Sequence, residues 1–202
     1  MEEKKYLKWY NKVGYGTGDL AGNVVYAFLS SFVMLYLTNT VGLNPGVVGT
    51  LIMVSKLFDG VSDMFFGTLI DKTKSRLGKA RPWILRMCIP FAISGILMFS
   101  VPASWSSTPK LVYVFITYNL VSTVIYTAIN VPYSALNALM TQDPYERSVS
   151  SIFRNLLATA GTLTINTFTL PLVEYFGNNA SAWTKTFVVF GFVSIAAFLC
   201  TF

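Results

Sequence analysis

The 202-residue sequence contains no histidine and only two cysteines, Cys88 and Cys200. The lack of histidine removes the commonest general base and a common metal ligand. Each cysteine lies alone in an apolar run, which argues against a disulfide framework and against a zinc site. Catalysis by histidine and metal or disulfide chemistry at cysteine are therefore not the first interpretations of this sequence.

Charge is also scarce. Only 12% of the residues are charged, whereas 53% are hydrophobic and 15% are aromatic; an average soluble domain has about 25% charged residues. This composition predicts a membrane protein whose surroundings are the lipid bilayer. The net charge of +6 does not indicate a nucleic-acid partner, because nine of the fifteen Lys and Arg residues fall within residues 4–12 and 72–81. Such clusters are typical of membrane topology signals.

Apolar stretches near the ~20 residues that cross a bilayer predict six transmembrane helices. Their approximate bounds are 13–38, 46–70, 83–102, 110–139, 149–173 and 183–202. Basic residues precede the first stretch and follow the second and fourth; they include Lys4, Lys5, Lys8, Lys12 and Arg147. By the positive-inside rule we expect a multi-pass protein of the cell membrane with a cytoplasmic N-terminus. The last stretch ends at Phe202 without a basic loop or polar tail, as expected of an interrupted chain.

The second predicted helix carries charges that a membrane helix normally avoids. Asp59 and Asp63 are four residues apart, so they share one helix face and lie about 6 Å apart along the axis. Two carboxylates on one face suit a cation. The helix also carries Lys56 and leads into the basic loop 72–81.

Asp19, Asp59 and Asn130 are each predicted to lie about 10–18 Å from the cytoplasmic helix ends, near the bilayer midplane. A charged side chain there costs about 2.5–3.5 kcal/mol and needs a partner or a wet cavity. Lys56 and Arg154 are the candidate partners. Such groups line ion and substrate paths; the alternative is that they form structural ion pairs.

The first and fourth predicted helices each have a polar middle that we expect to be interrupted. Gly18, Asp19 and Asn23 lie in the first, and Asn119, Asn130 and Pro132 lie in the fourth. Irregular helices at matching positions of two repeats indicate a transporter site. For the glycines alone, ordinary close helix packing is the favoured alternative.

Five segments together resemble the glycoside-pentoside-hexuronide:cation symporters of the major facilitator superfamily, which include the melibiose permeases. They are YGTGDLAGN at 15–23, FDGVSD at 58–63, GTLIDKTKSRLGKARPWIL at 67–85, YTAINVPYSAL at 126–136 and ERSVSSIFRN at 146–155. The resemblance implies an all-α membrane protein. Residues 1–202 would form the N-terminal six-helix bundle, with 3+3 inverted repeats, and the C-terminal bundle would be absent and act as a partner.

The resemblance implies secondary active transport of a sugar or glycoside by alternating access, with Na+ or H+ as the coupling ion and no other cofactor. The candidate sugar-binding residues are Asp19, Asn23, Tyr26, Tyr126, Asn130 and Arg154. The candidate cation-binding residues are Asp59, Ser62, Asp63 and Thr127, with Asp59 and Asp63 as the metal ligands if the ion is Na+.

Four positions depart from the pattern of the melibiose permeases. Gly18 stands where they have Lys, Ser62 where they have Asn, Asn130 where they have Asp, and Ser134 where they have Trp. These departures leave specificity for galactosides open. The shorter reach of Ser62 keeps H+ as an alternative to Na+.

The loop after the second predicted helix resembles the superfamily's signature between helices two and three. It contains Gly67, Asp71, Arg76, Gly78, Lys79 and Arg81. We predict a cytoplasmic latch in which Asp71 reaches a helix end or a loop arginine. The alternative is a plain positive-inside anchor.

Two other functions stay open at this point. Asp59-Gly60 followed by Gly67 and Asp71 is similar to the metal-binding signature of membrane phosphatidyltransferases, although that family has Ala-Arg at the positions of Asp63-Met64. We therefore expect a transporter rather than an enzyme. The chain is alternatively a truncated remnant that does not transport, or a half-transporter that works only as a dimer.

Overall fold

The computed structural model describes residues 7–76 and 78–201, which form six long helices and no strand. This confirms the predicted all-α fold. The helices are α1 (Trp9–Thr40), α2 (Pro45–Asp71), α3 (Arg81–Met98), α4 (Ser107–Met140), α5 (Pro144–Tyr175) and α6 (Ala180–Thr201). Lys4, Lys5 and Phe202, which the sequence analysis cited, lie outside the described residues.

Local signals explain where several helices begin and end. α2 and α5 each begin with a proline, preceded by Asn44 and Asp143, whose side chains accept hydrogen bonds from backbone N–H groups of the first turn. These caps satisfy donors that have no partner inside the helix. α3 ends at Met98 rather than near residue 102, because the chain turns there and Pro102 has no N–H to continue the helix.

Within the described part of the chain, five helices are long and apolar enough to cross a membrane. α2 has 27 residues but is more highly charged, because it carries Lys56, Asp59 and Asp63 in addition to Asp71 at its end. α2 packs against α4, which is one of the five. We therefore treat α2 as a membrane helix whose charges face protein or an aqueous space.

α1 is the central helix of the bundle. It packs along α5 and α6, while α3 packs against α4 and α6. Phe28 of α1 lies in the middle of an aromatic cluster, with its ring centroid 4.8 Å from Phe99, 5.3 Å from Phe187 and 6.3 Å from Trp183. All three contacts are edge-on, the geometry that aromatic rings favour.

The glycine-rich part of α1 is a regular helix, so the predicted interruption around Gly18 and Asp19 is wrong. The glycines instead permit close packing. A Cβ atom at Gly18 would overlap the ring of Tyr133, and one at Gly16 would meet the backbone of Phe153 on α5. The packing alternative therefore accounts for these glycines.

Two segments are π-helical: Tyr36–Thr40 at the end of α1, and Asn119–Ile125 in the middle of α4. A π turn holds one more residue than an α turn and is frequent at functional sites. The interruption predicted for the fourth helix is therefore present as a wide turn rather than a break. Pro132 lies in the α-helical segment that follows.

Candidate functional site

A ladder of polar contacts joins α2 to α4 through the middle of the bundle. Its three rungs are Asn119 Nδ2 to Ser55 Oγ at 2.9 Å, Thr123 Oγ1 to Asp59 Oδ1 at 2.6 Å, and Thr127 Oγ1 to Asp63 Oδ1 at 3.2 Å. The partners in every rung are 64 residues apart in the chain. This constant offset shows that the two helices run in the same direction, with one rung per turn, about 6 Å apart.

The four predicted cation-binding residues lie on this ladder or beside it. Asp59 is half-buried, and its Oδ2 lies 3.1 Å from the Lys56 ammonium group. Ser62 donates a 2.7 Å hydrogen bond to the carbonyl of Thr123. Thr127, which is buried, contacts Asp63. The structure therefore brings these four residues together.

The donor atoms of the ladder fit a hard, singly charged cation. Two carboxylates, two threonine hydroxyls and the Asn119 amide oxygen are all oxygen donors, which hard cations prefer. Among the described residues, no three His, Cys, Asp or Glu side chains gather as a multi-ligand metal site. A monovalent ion needs fewer formal charges than a divalent one, so a ligand set with two carboxylates is compatible with a monovalent cation.

Asp63 differs from the other carboxylates at membrane depth because it has no basic partner among the residues described. Asp19 and Asp59 pair with Arg154 and Lys56, as the structural ion-pair alternative requires. Asp63 has only the hydroxyl of Thr127 and is exposed beside the ladder. A carboxylate at this depth needs a bound cation, a proton or water to compensate its charge.

A second polar group joins α1 to α5. Arg154 Nε lies 3.2 Å from Asp19 Oδ2, and Nη2 lies 3.5 Å from Oδ1, so the guanidinium group faces the carboxylate with two nitrogens. The Cζ atom of the Arg154 guanidinium group also lies 5.2 Å from the centroid of the Tyr133 ring, and this ring stacks on Tyr15. The aromatic ring restricts the guanidinium plane. These groups present both donors and acceptors, as a sugar hydroxyl requires.

The remaining predicted sugar-binding residues lie on α1 and α4. Tyr26 and Tyr126 stack with their ring centroids 4.8 Å apart, and the Lys56 ammonium lies 5.6 Å from the Tyr26 ring. Asn23 donates to the backbone carbonyl of Asp19 at 2.9 Å. Asn130 is half-buried on α4 and shows no hydrogen bond to any side chain that the structure describes. Lys56 thus connects the cation candidates to the stacked tyrosines.

Thr123, Ser55 and Tyr133 were not predicted as site residues, and Asn119 was predicted only as part of the polar middle of the fourth helix. A signal for Ser55, Asn119 and Thr123 was present: polar residues at 55, 59 and 63 match polar residues at 119, 123 and 127 in four-residue steps. Two such rows are complementary only if the helices are neighbours in the correct register. Tyr133 gave no separate signal, because an aromatic residue in a membrane helix is ordinary.

The predicted latch residues lie at the end of the bundle where α2 stops. Gly67 is on the last turns of α2, and the exposed Asp71 forms no ion pair with any basic side chain in residues 7–76 and 78–201. The latch contact of Asp71 therefore stays a prediction. The other latch residues are Arg76, which is exposed, and Gly78, Lys79 and Arg81, which line a cavity of about 770 Å³.

A different ion pair fixes this end of the bundle. Lys12 of α1 lies 2.8 Å from Glu146 of α5, and the Glu146 carboxylate also accepts the backbone N–H of Leu7 at 3.3 Å. Glu146 is only 2% exposed, so this pair is well shielded from solvent. Nearby, Nε1 of Trp83, at the start of α3, donates to the hydroxyl of Thr73 at 2.9 Å and so anchors the basic loop.

Known proteins resemble this chain along most of its length. The sequence profile of the family described as MFS/sugar transport protein matches residues 14–202. The isoprimeverose transporter of Lactiplantibacillus pentosus is 33% identical over 98% of this chain and 42% of its own length. The inner membrane symporter YicJ of Escherichia coli is 39% identical over 88% of this chain and 38% of its own length.

A third relative, the putative glycoside/cation symporter YagG of Escherichia coli, is 40% identical over 85% of this chain and 37% of its own length. The chain thus spans about two fifths of the length of these curated relatives. All three relatives are named as transporters or symporters, so the phosphatidyltransferase alternative is wrong.

Proposed function

Because the chain belongs to the MFS/sugar transport protein family and resembles its glycoside:cation symporters, we propose that it supplies the cation site and part of the sugar site of a symporter. The substrate is a glycoside, pentoside or hexuronide, and the coupling ion is Na+ or H+. Residues 1–202 act as an N-terminal six-helix bundle that moves against a second bundle in alternating access. The N-terminus lies in the cytoplasm.

One observation carries this proposal: Asp63 is a carboxylate at membrane depth that has a hydroxyl partner but no basic partner within the described chain. The structural ion-pair alternative explains Asp19 and Asp59 but leaves Asp63 uncompensated. A bound Na+ between Asp59 and Asp63, or a proton on one of them, supplies the missing charge.

Lys56 provides a physical link between the two sites. Its ammonium group pairs with Asp59 at 3.1 Å and lies 5.6 Å from the ring of Tyr26. A cation that binds Asp59 competes with Lys56 for the same carboxylate. Displaced Lys56 changes the electrostatic field at the stacked tyrosines, so sugar affinity depends on the cation. Reciprocity then requires that sugar changes cation affinity by the same factor and in the same direction.

At the sugar site, Asp19 and Arg154 are the primary groups. Their side chains already face each other as an ion pair when no sugar is bound. Sugar hydroxyls donate to Asp19 and accept from Arg154, so binding replaces part of one polar contact with several others. Tyr26 and Tyr126 offer an aromatic surface for the apolar face of the ring.

The proposal is tested by measuring 22Na+ binding and isoprimeverose binding separately in purified protein reconstituted in nanodiscs. We expect Asp59→Asn and Asp63→Asn to abolish cation binding, because each removes a charged ligand. Asp19→Asn should abolish sugar binding and spare cation binding. Asp71→Asn is the matched control, because Asp71 lies at the end of α2, outside the ladder.

Equal loss of both activities in the Asp19 and Asp59 variants would indicate structural ion pairs and overturn the proposal. The ion itself is identified by comparing sugar binding with Na+ against sugar binding in choline buffer at falling pH. Enhancement by Na+ alone indicates Na+ coupling, whereas enhancement by acid alone indicates H+ coupling.

A further inference from the structure

A separate polar cavity of about 540 Å³ lies at the end of the bundle opposite the basic loop. It is formed by the end of α1, the end of α5 and the beginning of α6. Its polar lining consists of Asn39, Thr40, Glu174, Asn178, Asn179 and Trp183. Asn39 is twenty residues beyond Asp19 on α1, a distance of roughly 30 Å along a helix. The cavity is therefore distinct from the Asp19–Arg154 site.

The cavity contains a buried hydrogen-bond donor without a partner. Trp183 is 3% exposed, and its Nε1 makes no hydrogen bond to any described residue. A buried indole N–H normally finds an acceptor. Glu174, which also lines the cavity, forms no ion pair within the described chain. The lining thus includes an unpaired carboxylate and an indole ring whose N–H has no partner in the described part of the chain.

The asparagines add further donors. Asn179 Oδ1 accepts from the backbone N–H of Ala182 at 2.9 Å, and Asn39 Oδ1 accepts from the Thr38 hydroxyl at 3.1 Å. Each carbonyl oxygen thus accepts one hydrogen bond, while the amide N–H groups donate to no described residue. With Glu174, the cavity presents several donors and one strong acceptor, and its volume of about 540 Å³ lies within the range of small-molecule sites.

This donor and acceptor set selects one class of ligand. The negative charge of Glu174 disfavours an anionic ligand. Among the described lining residues Glu174 is the one carboxylate, and no histidine or cysteine joins it, so the cavity is a poor metal site. A sugar hydroxyl both donates and accepts hydrogen bonds, so a neutral polyol can bind both the amide donors and the carboxylate acceptor of the cavity. We propose that this outer cavity is a second sugar-binding site, separate from Asp19 and Arg154.

The choice of sugar rests on the proposed function, since the same glycoside would meet this cavity outside the transport site. The cavity itself is defined by its geometry, whatever the substrate. A sugar held here would be concentrated near the transport path before it reaches Asp19. The outer site would then saturate independently of the inner site, and two sugars would bind per chain.

The first test uses Trp183 as a fluorescent reporter. In a Trp9→Phe, Trp83→Phe, Trp105→Phe background, Trp183 is the single remaining tryptophan. Isoprimeverose is titrated into this protein in nanodiscs, with glycerol as the comparison solute. We expect a saturable change in indole emission with isoprimeverose that Glu174→Gln and Asn39→Ala weaken at least about tenfold in affinity. Thr167→Ala, exposed on α5 outside the cavity, is the matched control.

The second test counts bound labelled isoprimeverose in the protein with all its tryptophans. We expect two sugars per chain in the parent protein and one in the Asp19→Asn variant, with the Trp183 signal retained. Loss of that signal in Asp19→Asn, an equal response to glycerol, or no effect of Glu174→Gln would overturn the inference. If Asp19→Asn changes nothing but Glu174→Gln removes one sugar, the outer site stands and the proposed inner site fails.

Discussion

The hydroxyl group of Thr123 donates a 2.6 Å hydrogen bond to Asp59 Oδ1 and lies 3.4 Å from Asn119 Oδ1. It is 4% exposed, so water cannot easily replace it. The same oxygen is placed to serve as a ligand once a cation binds Asp59. At the scale of single residues, Thr123 is therefore, on the proposed function, a positioning residue for the cation site.

We predict that Thr123→Val weakens Na+ binding by about tenfold or more, because a hydrogen bond to a charged group contributes about 1.5–3 kcal/mol. Thr123→Ser should restore most of the affinity, since serine keeps the hydroxyl. The measurement is 22Na+ binding in nanodiscs. Thr169→Val is the control, because Thr169 is buried but donates only to its own helix, at Ile165. Equal losses in the Thr123 and Thr169 variants would mean a general packing defect.

At the scale of helices, glycines set how closely α3 and α6 approach. A Cβ atom at Gly95 would overlap the ring of Phe187, which is fully buried against Phe28 and Phe99. The ring cannot move without disturbing the aromatic cluster. By contrast, a Cβ at Gly60 on α2 would meet no atom of the described chain within 4 Å.

We predict that Gly95→Ala destabilises the bundle by about 1–3 kcal/mol, the usual cost of forcing extra volume into a packed core. Gly60→Ala should leave stability unchanged or raise it by up to about 1 kcal/mol, because alanine favours a helix more than glycine does. Thermal unfolding of the detergent-solubilised variants measures both. A Gly95→Ala variant as stable as Gly60→Ala would contradict the packing described here.

The sequence predicted the helices better than it predicted their contacts. Apolar length is a local property, so it indicated the all-α class and the unusual charges of α2. Proline and its neighbours set several ends, such as the starts of α2 at Pro45 and of α5 at Pro144. The pairing of Asp59 with Thr123 depends instead on the register between two helices that are 64 residues apart in the chain. No local pattern fixes such a register.

The same limit explains the error at Gly18. Glycine weakens an isolated helix, so a run of glycines predicted an interruption. In the bundle, the space that Gly18 leaves is filled by Tyr133, and the packing compensates for the weaker local preference. The role of Arg154 was predicted from the family resemblance, whereas its support by Tyr133 required the fold.

At the scale of the whole molecule, α5 has an exposed row of polar side chains. Ser148, Asn155, Thr159 and Asn166 are all exposed and lie close to one helix face. The hydroxyl groups of Ser148 and Thr159 donate to their own helix, but lipid would leave the amide groups of Asn155 and Asn166 without partners. The face therefore belongs to an aqueous cavity or to a second bundle. α3, in contrast, exposes the apolar side chains of Ile89 and Ile93.

We predict that cysteines placed at Asn155 and Thr159 react with a water-soluble maleimide, whereas a cysteine at Ile93 does not. The background carries Cys88→Ala and Cys200→Ser, because Cys200 is itself exposed. Labelling is measured by mass shift in membrane vesicles. Reaction at Ile93 equal to that at Asn155 would show that the two helices have similar surroundings and would contradict the assignment.

The proposed orientation gives a separate prediction. Lys74 lies in the basic loop, and Ser181 lies at the opposite end of the bundle; both are exposed. In intact cells, an impermeant maleimide should modify a cysteine at Ser181 but not one at Lys74, and permeabilisation should make both reactive. The reverse pattern would place the N-terminus outside the cytoplasm.

The wide turn Asn119–Ile125 has a consequence for how such proteins can change by mutation. Loss of a single codon there would convert the π turn into an ordinary α turn, which holds one residue fewer, so the helical segments on either side would keep their register. Thr127 would stay beside Asp63 and Asn119 beside Ser55, whereas the same loss in a regular α-helical part of α4 would rotate the rest of the helix by about 100°. On the proposed function, this turn is thus the place in α4 where a gene can lose or gain a codon while both ends of the ion site stay aligned.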